Sequence, residues 1–233
     1  QQQRNLYEFM RRLLVKRFES SFGAFAKSVD NFIRIHSIVL NFIKKTGSYI
    51  LDRRLIEKIW EEDEETIEKA LQEFAERLSE KEKLDPRHDH IYVIEEFDEP
   101  KQFLDDIQSD LKLLKLIAYR VSALGLVSND PKSERLKEAV WEILKTPANT
   151  GESRRKVVIF SEYLDTVEHI VPVLQIAFPD RVLVAEDSLG RRFFDDLLAN
   201  FDASHPAKKQ RNDFDILVTT DKLSEGVNLN RAG

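Results

Sequence analysis

Lys156-Val-Val-Ile-Phe160 and Asp215-Ile-Leu-Val-Thr219 decide how this chain is read. Each is a short run of β-branched and aromatic residues between charged or turn-forming neighbours. The first reads as a buried strand and the second as a strand. Between the two runs, Leu164–Ala177 and Arg191–Phe201 have helical spacing, and Arg181–Ala185 reads as a third strand. Strands interleaved with helices pair in parallel through right-handed crossovers. The expected fold class is therefore α/β, a parallel sheet flanked by helices. Just upstream, Asp130-Pro131 supplies an N-cap and a first-turn proline for a helix with Leu136, Val140, Ile143 and Leu144 inward. Thr146 to Arg155 reads as a loop, and the α/β part is expected over 129–233.

Residues 1–128 read as a mainly α-helical region. Leu6, Phe9, Met10, Leu13 and Leu14 fall on one helical face. A second apolar helix covers Phe32 to Ile43 and stops at Lys44-Lys45-Thr46-Gly47, where lysines suit the exposed carbonyls and glycine accepts a left-handed cap. From Glu57 to Lys83 the chain is very polar, yet Ile67, Ala70, Leu71, Phe74, Ala75 and Leu78 share one face. Asp85-Pro86-Arg87 ends that helix, Ile91–Ile94 reads as a short strand, and Leu104 to Val121 carries a seam suited to antiparallel helix packing. Residues 48–110, which carry no motif of their own, are expected to be a helical insertion.

Composition sets the outer bounds. The 233 residues include no cysteine, which excludes disulfide frameworks, Cys-ligated zinc, iron–sulfur clusters and thiol nucleophiles and suits a reducing, cytoplasmic setting. No apolar run approaches the ~20 residues of a membrane span. The opening Gln1-Gln2-Gln3-Arg4 is neither a signal peptide nor an initiator methionine, so a piece of a longer chain is expected. The net charge of −6 is unevenly spread. Residues 1–47 hold nine Lys/Arg against three Asp/Glu, 48–110 hold nine against twenty-one, and 111–233 hold eighteen of each. A locally basic N-terminal segment can contact phosphates although the whole chain is acidic; the plainer reading of both runs is solvated helix faces.

In a parallel sheet, ligands collect at the carboxyl ends of strands. Three such ends carry Ser161-Glu-Tyr163, Glu186-Asp-Ser-Leu-Gly190 and Thr220-Asp-Lys-Leu-Ser-Glu-Gly-Val-Asn228. The third combines hydroxyls, a carboxylate pair and a glycine that permits close backbone approach.

Val157-Val-Ile-Phe-Ser161-Glu-Tyr-Leu-Asp-Thr-Val-Glu-His-Ile170 resembles motif IV of the Swi/Snf-type branch of superfamily-two helicases. Asp215-Ile-Leu-Val-Thr-Thr-Asp-Lys-Leu-Ser-Glu-Gly-Val-Asn-Leu229 resembles motif V of the same superfamily. Arg191, Arg192 and Phe201 fall where that family has its arginine-to-phenylalanine helix. Asp130–Leu136 resembles the approach to the second motor lobe, and Leu14–Phe22 the lysine-arginine helix leaving the first. The resemblance implies a RecA-like (P-loop NTPase-type) second lobe of an ATP-dependent DNA helicase or translocase, with 1–128 as a helical region between lobes. It further implies nucleic-acid contacts, chiefly to double-stranded DNA, from Ser161, Thr219, Thr220, Lys16 and Arg17. Glu225, Gly226 and Asn228 would face the nucleotide, and Glu225 and Asp221 would couple the two sites or cap the loop. ATP and Mg2+ would be bound mainly by a first lobe. The 233 residues contain no G-x-x-x-x-G-K-[ST] phosphate loop, no D-E-x-H box and no Q-x-x-G-R-x-x-R segment. These residues alone are therefore expected to hydrolyse no ATP, and no catalytic residue is assigned among them.

The alternative is a non-enzymatic interaction module whose acidic helices, 57–83 and 103–124, bind a protein partner. Other features have plain readings. Asp85, His88, Asp89 and His90 read as surface residues, with no metal site expected; His36 and His169 as packed or surface histidines; Trp60 and Trp141 as packing residues. Ser188-Leu-Gly-Arg-Arg192 reads as a plain helix cap or an anion site at a helix N-terminus. No Gly-x-Ser-x-Gly elbow supports a serine hydrolase.

Overall fold

The computed structural model describes residues 2–52, 64–80, 89–148, 150–152, 154–185, 190–220, 223 and 227–232. The chain is mixed α/β, mostly helical, and divides into two compact units, Gln1–Val127 and Ser128–Gly233. No helix among the described residues is long and apolar enough to cross a membrane.

The first unit starts with α1 (Gln2–Ser20) and α2 (Phe22–Thr46). Ser21 separates them: its extended backbone and its side chain, which accepts from Ala24 N at 3.0 Å, make it the N-cap of α2. At the other end Gly47 adopts φ 68° and its N–H donates to Ile43 O at 2.8 Å, the left-handed stop that Lys44-Lys45-Thr46-Gly47 predicts. Next come β1 (Ser48–Asp52), α3 (Glu64–Glu80), β2 (Asp89–Val93), a 3-10 turn at Ile94–Glu96 and α4 (Pro100–Ala123). The helical-insertion reading of 48–110 needs correction, because β1 and β2 form a two-stranded antiparallel ribbon in which Tyr49 faces Tyr92 and Ile50 faces Ile91. The polar helix expected over Glu57–Lys83 is present as α3; its expected flanks lie outside the described residues. Leu13, Val29, Phe32, Ile35, Ile67, Leu71, Phe74, Leu78 and Leu114 form the core, with Met10 and Leu14 packed against it; α3 buries the stripe its apolar spacing predicts, while the side chains of Leu6 and Phe9 on the expected α1 stripe lie outside the described residues.

The second unit contains α5 (Pro131–Lys145), β3 (Val157–Ser161), α6 (Leu164–Ala177), β4 (Val182–Val184), α7 (Arg191–Phe201), a 3-10 turn at Ala207–Lys209 and β5 (Ile216–Thr220). The three strands are parallel, in the order β3-β5-β4. The order explains how the helices are distributed. From β3 the chain steps outward past the β5 position, then reverses to insert β5. Right-handed crossovers in opposite directions put their helices on opposite faces. Accordingly Ile216 and Val218 pack with Val140, Val167, Ile170 and Leu174 of α5 and α6, while Leu217 packs with Leu197 and Phe201 of α7. β5 is covered on both faces, so it is continuously apolar rather than alternating, whereas β3, expected to be buried, stands outermost beside β5 with Phe160 45% exposed.

Candidate functional site

Parallel pairing of β3 with β5 sets Ser161 opposite Thr220 at the carboxyl end of the sheet. Both are half-buried, so two hydroxyl-bearing residues sit side by side on that rim. Ser161 Oγ accepts from Tyr163 N at 3.2 Å and donates to Tyr163 O at 3.1 Å, a local turn that fixes the chain as it leaves β3 for α6. Thr219, one residue earlier on β5, is 1% exposed, and its Oγ1 donates to Thr220 O at 3.0 Å. Beyond β5, Leu223 is buried in the α7-side core, whereas Asp221, Glu225 and Gly226 lie outside the described residues. Asn228 is exposed, between Val227 and Leu229, which pack against the α7-side core.

The same rim receives the start of α7. Gly190 is its N-cap with no side-chain cap, and Arg191 and Arg192 are exposed in the first turn; 186–189 lie outside the described residues. In the other unit Lys16 is half-exposed near the end of α1, while Arg17 is 1% exposed, on the stripe that carries Leu13 one turn earlier. Thus Ser161, Thr219 and Thr220 are brought together. Lys16 and Arg17 belong to a separate unit, and only Lys16 has solvent access there.

The opposite, amino end of the sheet holds a charged cluster. Asp215 has a fully buried carboxylate; it accepts from Arg181 Nε at 2.7 Å and Arg154 Nη1 at 3.1 Å, and lies 3.9 Å from Lys156 Nζ. Lys156, also fully buried, donates to Phe214 O at 2.6 Å and sits over the Phe201 ring at 5.2 Å. Burial pushes the Lys156 ammonium down to about 8; Asp215 raises it only in part, and Arg231 and Arg154 lower it further. Arg231 uses every guanidinium nitrogen: Nε and Nη2 donate to Glu152, Nη1 to the Ala199 and Arg211 carbonyls, and Nη2 also to Asn212 Oδ1 at 2.9 Å. Charged residues opening apolar strands at Lys156 and Asp215 were the sequence signal of this cluster; their partners are far away in sequence.

The remaining candidates have structural partners. His169 Nε2 lies 3.1 Å from Asp130 Oδ2, and the other Asp130 oxygen caps α5 by accepting from Lys132 N at 2.9 Å. His36 Nδ1 lies 2.8 Å from Phe32 O. Trp141 packs on Phe178 at 5.1 Å with Lys145 above its ring. Trp60, Asp85 and His88 lie outside the described residues. Among the described residues no group of three or more His, Asp or Glu could hold a metal ion. Comparison with family models, with curated proteins and with solved structures finds no match.

Proposed function

We propose that the chain supplies the second, RecA-like lobe of a Swi/Snf-like, superfamily-two DNA motor, with the carboxyl rim of its parallel sheet touching the nucleic-acid backbone. One observation supports this above the rest: Ser161 and Thr220 end adjacent parallel strands and stand next to each other at the edge where such sheets bind ligands. A hydroxyl at a strand end suits a phosphate oxygen, a contact that positions a polymer without reading its sequence. Thr220 would donate to a phosphate, Thr219 would hold the strand end, and the partly exposed Lys16 would add a cationic contact. Glu225, Gly226 and Asn228 would face ATP, with Mg2+ held by groups of another lobe. Lobe closure and reopening during turnover would move the polymer.

Titration of a fluorescent DNA duplex with the 233-residue chain across a salt series tests this reading. Binding should strengthen as salt falls. Thr220→Ala should weaken it roughly fivefold, the loss of one net hydrogen bond of about 1 kcal/mol. Lys16→Ala should reduce the salt slope by about one. No duplex binding at any salt would remove the motor reading and leave the interaction module built on acidic helices.

A further inference from the structure

β2 is paired on one edge only, to β1; among the described residues its other edge meets no strand. Its last three residues are all apolar or aromatic and all exposed: Ile91 55%, Tyr92 42% and Val93 41%. Strand alternation puts Ile91 and Val93 on one face and His90 and Tyr92 on the other. Folded proteins blunt such an edge with lysine, proline or a bulge, none of which occurs at 91–93.

The ribbon is also firmly held. Tyr49 lies opposite Tyr92 in the ladder and packs edge-on against Phe103 at 5.3 Å. Phe103 packs against Phe97 at 4.9 Å, and Phe97 against Tyr92 at 6.4 Å. This chain of rings ties the ribbon to the start of α4, so its free edge is pre-organised for a partner.

The surrounding charge selects the partner. Residues 94–110 carry seven carboxylates and one lysine, Lys101, and Glu95, Glu96, Asp98, Glu99, Asp105 and Asp106 are all exposed. Lys44 and Lys45, at the end of α2, offset this only in part. Such a rim repels a nucleic acid and repels a second copy of the same ribbon. It attracts a strand that carries cations.

We propose that the free edge of β2 is a docking site for an extended, basic segment of a partner protein. The segment would add a third strand beside Asp89–Val93, place alternate apolar side chains against Ile91 and Val93, and set its lysines or arginines against the carboxylates of 95–106. This site is separate from the sheet rim of the other unit and does not depend on the motor reading.

The probe is a fluorescent peptide of alternating lysine and valine, titrated with the full 233-residue chain. Two control peptides carry glutamate in place of lysine, or prolines that forbid strand pairing. The lysine–valine peptide should bind, and each control should bind at least ~tenfold more weakly. Glu95→Lys/Glu96→Lys, on an exposed turn, should weaken binding ~tenfold, as should Ile91→Lys/Val93→Lys on exposed strand positions. Circular dichroism and melting of each variant establish that it folds, and the turn variant decides the matter if the strand variant does not. Absence of lysine–valine binding, equal binding of the proline peptide, or unchanged affinity in the turn variant would each overturn the proposal. Concentration-dependent self-association abolished by Ile91→Lys/Val93→Lys would assign the edge to a second copy instead. Failure here leaves Thr220-dependent DNA binding untouched, and failure there leaves this result untouched.

Discussion

Asp215 and Lys156 open neighbouring strands, and their burial dictates how the amino end of the sheet behaves. A buried carboxylate persists because Arg181 and Arg154 bond it, and removing its charge takes from buried Lys156 the carboxylate 3.9 Å away. Asp215→Asn should cost about 3 kcal/mol, read from urea unfolding at neutral pH. Lys156 has the opposite dependence to that of an ordinary paired lysine. Its folded value of about 8 lies below the ordinary 10.5, so between those two the unfolded chain binds more protons than the folded one. Stability from this group therefore rises with pH across that interval. Stability curves of the parent and of Lys156→Met, compared from pH 7 upward, should diverge in the parent's favour from about 8. Parallel curves would show that Lys156 is not desolvated as described. Arg231 shows the same logic in the reverse sense: it is buried and every guanidinium nitrogen is engaged, so it secures residues 227–232 to the end of α7.

At the scale of elements, helix ends were the most legible features and strand partners the least. Lys44-Lys45-Thr46-Gly47 announced the stop of α2 because the cap is a local property of four residues. Gly47 has open space around its α-carbon, so Gly47→Ala loses only backbone conformation, about 1 kcal/mol, read as a lower melting temperature. Ser21→Ala should cost about the same and Ser21→Gly only a few tenths, the signature of a lost side-chain cap. β3 to β5 were legible because strand, helix and strand follow one another with clear changes of period. β1 was not: Ser48–Asp52 follows its helix cap directly, and its pairing partner β2 lies beyond α3, so no local pattern specifies the ladder. Arg17 shows a related limit. Its charge points to phosphate contact, but its place one turn after Leu13 put it on the buried stripe. Ser161 beside Thr220 was only half legible: both strand ends could be read, but not that β5 inserts between β3 and β4 and so makes them neighbours.

At the scale of the whole chain, one unit presents an acidic aromatic ribbon and the other a parallel sheet with Ser161 and Thr220 side by side on its carboxyl rim. These 233 residues contain no phosphate loop, so the purified chain should show no protein-proportional ATP hydrolysis with or without duplex DNA, measured by phosphate release. Activity that scales with protein and survives further purification would contradict that expectation. The proposed motor role rests most heavily on the rim. Its most direct test follows backbone amide NMR signals while duplex DNA is added at low salt. Shifts at Ser161 and Thr220, with Arg154, Arg181 and Asp215 at the other end of the sheet unmoved, are the predicted result. Shifts confined to that amino end, or none in the second unit at all, would contradict it.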